Sequence, residues 1–408
     1  MNFALLGGGP AILPLLRAIA ADADHALRVA ALVPEDFAEE LLSAAPGVRF
    51  DPQWESLLNA KDVDAVIATA GDPLVETAVR QLAAAETPVL LLPSGDPTSA
   101  LVYELALVRD DARVALTPMF PARHFVEFRA LGDAIRDGRF GRVLDIQWTR
   151  DVPAATGLLA LDQLHAALVH DVDALRQLVG EYDQVTAVYV GDCETGLSRG
   201  TVTLAGQGLP TATWSIRPAT GSAGFELSVS AERGCALFRG ELPAGAIPAG
   251  VPGLQTTGDA GMLAAMTTRT GNEASRAILE HFVAAIAGGN ASPNWTDLMR
   301  SVEIVEAAER SVRRRRTIDL HFETTSERNQ FKTQMTAIGC GLMSVTLIAV
   351  VFLLIAGALF NIHPVVMRVA RIGVFVPLAV FLLLQLLLFL ARPSSRDGGA
   401  GEPKTGDG

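Results

Sequence analysis

Residues 2–21, which read NFALLGGGPAILPLLRAIAA, decide the fold. The mostly apolar residues Asn2 to Leu6 predict a short buried strand, and Gly7-Gly8-Gly9 follow at once. From Pro10 to Ala21 the apolar residues recur at helical spacing, so a strand, a tight turn and a helix succeed one another. This order is typical of the first unit of an alternating α/β fold.

The same alternation continues to residue 118. Further strands are predicted at Leu27–Val33, Asp64–Thr69, Val89–Leu92 and Val114–Leu116, and further helices at Phe37–Ala45, Leu74–Ala85 and Thr98–Val108. Apolar strands that alternate with helices favour a parallel sheet covered on both faces. We therefore expect a first domain, residues 1–118, that is a Rossmann-like doubly wound sheet with its ligand at the carboxyl ends of the strands.

The glycine turn lies where a dinucleotide-binding fingerprint belongs. Gly7 and Gly9 match the first two glycines of G-x-G-x-x-G, but Ile12 stands in the third glycine position. The acidic residue that would bind the ribose is missing from the end of the second strand, because Glu35 and Asp36 come later. These residues leave two alternatives open: a nucleotide-binding turn, or a tight strand-to-helix connection without a ligand.

From residue 119 the pattern changes to short alternating strands. Period-two runs occur at Arg142–Thr149, Gln184–Val190, Thr201–Ala205, Thr211–Ile216 and Phe225–Ser230. They predict a second α/β domain, residues 119–325, with an open, mainly antiparallel sheet and helices on one face. Helices near Glu273–Ala287 and Trp295–Arg315 would complete it, and the Gly- and Pro-rich stretch Glu241–Gly271 is expected to be a lid or a poorly ordered loop.

The composition argues against two classes of function. The chain has 33 Lys and Arg against 45 Asp and Glu, which gives a formal net charge of −12. Such an acidic chain is a poor partner for nucleic acid, because duplex affinity depends on the neutralisation of phosphates. Cys193, Cys235 and Cys340 show no metal-ligand spacing, so the sequence predicts no structural zinc site.

Two uncharged apolar stretches near the C-terminus predict transmembrane helices. As helices, residues 336–360 and 372–391 are long enough to cross a hydrocarbon core of about 30 Å. The short connector favours a hairpin in the lipid bilayer, and the arginine distribution places the soluble domains and the tail, residues 392–408, in the cytoplasm. The polar, Gly-rich tail is expected to be disordered. The alternative is a buried helical hairpin of a soluble core.

The densest cluster of polar side chains is HAALVHDVDALRQLVG, residues 165–180. On a helix His170 and Asp173 share a face, and an imidazole beside a carboxylate can act as a general acid or base. The alternative is a histidine that pairs locally with Asp171 or Asp173 and takes no part in catalysis. The spacing by itself favours this second interpretation.

Residues 1 to about 322 resemble the Gfo/Idh/MocA oxidoreductases, the family of glucose–fructose oxidoreductase and inositol dehydrogenase. The resemblance is carried by LLGGGPAILPLLRAI, WESLLNAKDVDAVIATAGDP, LGDAIRDGRFGRVLDIQW and LVHDVDALRQLVG. It implies a Rossmann domain, an α/β domain, NAD or NADP as cofactor, and the oxidation or reduction of sugar-like alcohols. It further implies that His170 and Asp173 are catalytic and that Gly7, Gly9 and Thr69 bind the cofactor.

Several of the family's polar positions hold apolar residues here. Leu92 stands where the family has a lysine that assists proton transfer, and Ala166 where it has an aspartate four residues before the histidine. Pro118, Met119 and Phe120 replace a further polar segment.

Two hypotheses follow. In the first, the chain is a membrane-anchored homologue that has kept the fold, is impaired or non-catalytic, and acts in binding or scaffolding. In the second, it is an active NAD(P)-dependent oxidoreductase that acts on a sugar-like substrate and uses His170 as acid/base. The loss of several polar positions favours the first. A sugar-like ligand and assembly into a homo-oligomer are further expectations.

Overall fold

The computed structural model describes residues 1–93, 99–154, 156–193, 195–240, 253–258, 271–289 and 292–320, together with residues 344, 346–353, 355 and 373. The chain divides into two units, Met1–Phe322 and Glu323–Gly408. The described part of the first unit contains two sheets and the helices that cover them.

The first sheet is parallel throughout. Its strands are β1 (Asn2–Leu6), β2 (Ala26–Ala31), β3 (Arg49–Asp51), β4 (Ala65–Thr69), β5 (Val89–Leu92) and β6 (Leu116–Pro118). They lie in the order β3-β2-β1-β4-β5-β6, so the direction of winding reverses between β1 and β4. This confirms the predicted Rossmann-like sheet, and the carboxyl ends of β1 and β4 are the expected place for a ligand.

Four helices belong to this sheet, and at α3 the local sequence explains where the helix starts. They are α1 (Leu13–Ala21), α2 (Ala38–Ala44), α3 (Pro73–Ala84) and α4 (Ser99–Ala112). At α3, the Asp72 side chain accepts a hydrogen bond from the Leu74 amide, and Pro73 occupies the first position, where no amide hydrogen is needed. A short 3₁₀ turn, Pro10–Ile12, precedes α1, so the glycine turn leads into a 3₁₀ turn before the α-helix begins.

The second sheet is mixed. Its strands are β7 (Val143–Pro153), β8 (Gln184–Asp192), β9 (Gly196–Ala205), β10 (Thr211–Ala219), β11 (Gly224–Ala231), β12 (Gly234–Gly240), β13 (Gly253–Gly258) and β14 (Ile318–Asp319). They lie in the order β13-β12-β11-β7-β10-β9-β8-β14. Most neighbours are antiparallel, as predicted, but β7 and β10 run parallel along their whole length.

Four further helices complete the described part of the first unit. They are α5 (Val126–Arg136), α6 (Leu161–Val179), α7 (Gly271–Ile286) and α8 (Trp295–Arg314). The helix α6 contacts α5, α8 and β9, while α8 contacts both β6 of the first sheet and β8 of the second. The helix with the histidine and aspartate cluster therefore lies in the interior of the unit.

Two predictions about connections can be compared with these elements. The predicted first domain boundary coincides with the end of β6 at Pro118, and the domain limits stay a prediction. Within the stretch predicted to be a loop, residues 253–258 form β13. Residues 241–252 and 259–270 of that stretch lie outside the described residues.

The predicted membrane localisation is not supported by the helices that the structure describes. Among the residues that the structure describes, no helix is long and apolar enough to cross a bilayer. A span requires about 20 consecutive helical residues, and the helical residues described in this region are 344, 346–353, 355 and 373. Apolar composition alone led to the prediction. The remaining positions of 336–360 and 372–391, and the tail 392–408, lie outside the described residues.

Candidate active site

The glycine turn is held by β4. The Gly7 amide donates to the Ala31 carbonyl at 3.0 Å, and the Gly8 amide donates to Thr69 Oγ1 at 2.7 Å. Gly7 has φ +74°, and a Cβ built on it would lie 2.5 Å from Thr69 Oγ1. Only glycine fits there, because both the backbone conformation and the close approach of Thr69 exclude a side chain. The predicted Gly7 and Thr69 are thus brought together.

Two amides of the turn have no acceptor among the described residues. Ile12 and Leu13 donate to the carbonyls of Gly9 and Pro10, and Pro10 itself has no amide hydrogen. Within the described structure, the amides of Gly9 and Ala11 have no acceptor. A Cβ built on Gly9 would meet nothing within 4 Å. Two amides without an acceptor, at the start of a helix beside the switch point, suit the oxygens of a phosphate group.

The region after β2 differs from a typical ribose site. Leu32 follows the strand with φ +55°, and a 3₁₀ turn, Glu35–Phe37, comes after it. Phe37 is buried, and its ring packs against Gly8, 2.6 Å from where a Cβ would be. Glu35 and Asp36 are exposed and stand just before this contact. The residue that directly follows β2, Leu32, is apolar.

His170 lies beside the end of β5. Its Nε2 is 3.1 Å from the carbonyl oxygen of Pro93, the residue after Leu92, and its ring meets Phe120 edge-on with centroids 5.6 Å apart. Its Nδ1 is buried and has no hydrogen-bond partner among the described residues. Because a carbonyl can only accept, we assign the proton to Nε2, which leaves the lone pair on Nδ1.

The surroundings keep His170 neutral. Burial lowers its pKa to about 4, the nearby Arg150 adds to this effect, and the Pro93 carbonyl opposes it. Leu92 is only 7% exposed and brings no charge to the site. The site therefore contains an uncharged imidazole, fixed in its orientation by a backbone hydrogen bond, whose buried Nδ1 has no partner among the described residues.

Asp173 has different partners from those predicted. Arg123 donates to it twice, from Nε at 2.7 Å and from Nη2 at 2.6 Å, and Arg176 Nη1 lies 3.5 Å from the same carboxylate. Arg123 and Arg176 also reach Asp297, at 3.0 and 3.7 Å. The structure thus does not pair Asp173 with His170, although the two share a helix. The catalytic assignment of Asp173 stays a prediction.

A second buried pair, which sequence reasoning missed, fixes α6 against the mixed sheet. Arg150 Nε donates to Asp171 Oδ2 at 2.8 Å, and Trp214 Nε1 donates to the same oxygen at 2.8 Å. A signal for Arg150 was present, because the inward series Ile146 and Trp148 on β7 continues to position 150. An inward arginine requires a buried anion, and Asp171 supplies it.

Comparisons with known proteins give matches to dehydrogenases and other oxidoreductases. No family model matches the chain. Inositol 2-dehydrogenase of Streptomyces avermitilis is 31% identical over 169 residues, which are 40% of this chain and 48% of that protein. The chain therefore matches about half the length of this relative.

Solved structures share the fold over most of the first unit. A putative myo-inositol dehydrogenase from Sinorhizobium meliloti has a TM-score of 0.61 and 23% identity, over 79% of this chain and 100% of that one. Levoglucosan dehydrogenase in complex with NADH has a TM-score of 0.62 and 18% identity, over 79% and 99%. An oxidoreductase from Agrobacterium radiobacter, in complex with NAD⁺, L-tartaric acid and magnesium, has a TM-score of 0.61 and 15% identity, over 78% and 98%. Together, the sequence match and the shared fold support a relationship to the inositol dehydrogenase-like oxidoreductases of the Gfo/Idh/MocA type.

Proposed function

We propose that this chain is an NAD(P)-dependent oxidoreductase that interconverts a ring alcohol of the sugar or cyclitol type and the corresponding ketone. The observation that carries the proposal is His170, whose unpartnered Nδ1 lies at the carboxyl end of the parallel sheet. A dehydrogenase needs a proton acceptor at this place. The relatives bear names of the same activity, and this favours the active enzyme over a non-catalytic scaffold.

Different residues of the chain would bind the cofactor and act on the substrate. The turn around Gly7 and Gly9, held by Thr69, would hold the pyrophosphate of the dinucleotide, whose nicotinamide when bound accepts a hydride. His170 Nδ1 accepts the proton of the substrate hydroxyl. The carbon loses its hydrogen with two electrons, the hydroxyl loses its proton, and a C=O bond forms. The Pro93 carbonyl stabilises the resulting imidazolium through Nε2.

The first test is binding and turnover by the full chain. We expect NADH or NADPH to bind, measured by the fluorescence of the reduced nicotinamide, and a panel of ring alcohols to reduce NAD⁺ or NADP⁺. The scaffold hypothesis would be favoured instead if neither dinucleotide bound and no alcohol were oxidised.

Thr69 offers a specific test of the cofactor turn. Thr69→Val removes the acceptor of the Gly8 amide, and we expect the Kd of the dinucleotide to rise about tenfold, equivalent to about 1.4 kcal/mol. Thr69→Ser keeps the hydroxyl and should bind within about threefold of the parent, since the hydrogen bond remains. If the valine and serine variants bind equally well, the turn is not the cofactor site.

Leu92 tests the correspondence with the family's lysine. Leu92→Lys should raise the oxidation rate on the order of tenfold, below the 10²-fold of an optimised group because nothing yet positions the new amine. Leu92→Met has a similar size without the charge and should give no gain. Steady-state kinetics measures the oxidation rate of both variants. Equal rates for the lysine and methionine variants would contradict the assignment of position 92 to the family's lysine.

A further inference from the structure

The carboxyl ends of β2 and β3 lie beside the glycine turn. Ala31, the last residue of β2, accepts the hydrogen bond from the Gly7 amide, and in the parallel pairing of β2 with β3 it stands opposite Asp51. Neighbouring strands are about 4.7–4.9 Å apart, so the backbone of Asp51 lies only two strands from the turn. In doubly wound folds that bind dinucleotides, the ribose hydroxyl that distinguishes NAD from NADP is bound beside the end of the second strand.

The 3₁₀ turn Glu35–Phe37 brings two more carboxylates to this edge of the sheet. The Phe37 ring packs against Gly8, so the residues just before it stand near the glycine turn. Glu35 and Asp36 are exposed, and in the described part of the chain neither side chain has a hydrogen-bond or ion-pair partner. No described cation therefore neutralises these two carboxylates.

Asp51 is held in place and keeps its charge. Its Oδ1 accepts a hydrogen bond from the Gln53 amide at 3.0 Å, and its Oδ2 accepts one from the Ser56 hydroxyl at 2.8 Å. These bonds, the one from Gln53 more than the one from Ser56, lower the pKa of Asp51, and Arg49 adds a smaller effect in the same direction. Each carboxylate oxygen has a second lone pair, which can accept a further hydrogen bond from a ligand hydroxyl.

Basic side chains are scarce near these strand ends. Residues 32–60 contain six Asp and Glu and a single basic residue, Arg49. Arg49 pairs with Val29, two positions before the end of β2, which is about 7 Å back along the strand. Arg28 of β2 donates to the Asn2 side chain at 2.9 Å, at the amino end of β1. The net charge at the carboxyl ends of β2 and β3 is therefore negative.

We propose that the carboxylates of Glu35, Asp36 and Asp51 make this chain select NAD(H) over NADP(H). This inference rests on the proposed function and adds the choice of cofactor to it. The free 2′-hydroxyl of NAD can donate a hydrogen bond to a carboxylate, whereas NADP has there a phosphate with a charge of about −2 near neutral pH. Repulsion from three carboxylates would weaken the binding of the phosphorylated cofactor.

The ratio of two dissociation constants tests the selection without turnover. The Kd values of NADH and NADPH for the full chain are measured by the fluorescence of the reduced nicotinamide. We expect the Kd of NADPH to be at least about tenfold higher, equivalent to about 1.4 kcal/mol. Raising the ionic strength from about 0.1 M to about 1 M shortens the screening length from about 10 Å to about 3 Å, so the ratio of the two Kd values should fall.

Matched variants identify the residues responsible. Asp51→Asn keeps an acceptor oxygen for the Gln53 amide but removes the charge, and it should lower the ratio at least about threefold. The double variant Glu35→Gln/Asp36→Asn changes exposed side chains and should lower the ratio by a similar factor. Asp62→Asn makes the same change at an exposed position before β4, at the amino ends of the strands, and should keep the ratio of the parent.

The outcomes separate the inference from the proposed function. Binding of NADPH as tight as that of NADH, or tighter, overturns the inference and leaves the proposed function standing. A ratio that neither salt nor the variants at positions 35, 36 and 51 change has the same meaning, because the selection would then not come from these charges. If neither dinucleotide binds, the proposed function fails and the inference fails with it.

Discussion

Replacing Asp173 with alanine should lower the free energy of unfolding by about 3 kcal/mol, because it leaves two buried arginine side chains without their shared carboxylate. The side chains of Arg123 and Arg176 are only 6% and 1% exposed. Arg123 keeps Asp297 at 3.0 Å, and Arg176 keeps Glu181 at 2.7 Å, so we expect a loss at the lower end for a broken buried pair. Urea unfolding of the variant measures it.

An exposed pair in the same unit supplies the control. Asp137 lies 3.1 Å from Arg139, and both side chains are more than half exposed. Asp137→Ala should therefore cost less than about 1 kcal/mol. If the two alanine variants unfold at the same urea concentration, Asp173 does not stabilise the fold through these arginines, and its predicted catalytic role gains weight.

Replacing His170 with glutamine should lower kcat/KM by about 10²-fold or more, because the proton acceptor is lost. The amide of glutamine can still donate to the Pro93 carbonyl, but its oxygen cannot take up a proton from an alcohol. Dinucleotide binding should stay within twofold of the parent, as should the kinetics of His25→Gln, a histidine change remote from β5. A variant at position 170 with undiminished turnover would rule out His170 as the acceptor.

The pH dependence follows from the same residue. Since the pKa of His170 is lowered to about 4, the acid limb of kcat/KM should lie well below pH 6.5. An unfolded histidine has a pKa of about 6.5, so protonation favours the unfolded chain. The stabilisation by neutral His170 is thus complete above pH 6.5 and decreases as the pH falls towards 4. His170→Gln should remove this part of the acid destabilisation.

Local sequence was sufficient wherever a strand had clear limits. The strand β5 was predicted at Val89–Leu92 and is found there, because Pro88 and Pro93 bound its apolar run. The three-residue strand β3 is too short and too exposed to show a period. The parallel pairing of β7 with β10 depends on how the chain returns after α6, which no local pattern records.

In the candidate site, too, the helix could be predicted from local sequence but the partners of its side chains could not. The helix that carries His170 could be predicted, but the partner of its imidazole is a backbone carbonyl 77 residues away, and backbone atoms leave no signature in a sequence. Asp173 was correctly placed on that helix, whereas Arg123, 50 residues before it, gave no sign of the pairing. The membrane spans were predicted from the apolar composition of residues 336–360 and 372–391. Such a run of apolar residues does not record whether they form one continuous helix.

The parallel pair in the mixed sheet has a consequence for biosynthesis. The strand β7 lies between β10 and β11, so a nascent chain that has emerged only as far as residue 210 contains β7 without either neighbour. After β7 ends at Pro153, about 60 further residues are translated before β10 begins at Thr211, at rates of about 5–20 residues per second, and during this time the apolar side of β7 has neither neighbouring strand. Ribosome stalling or proteolytic clipping within this window would release a fragment prone to aggregation, and chaperone capture should peak there.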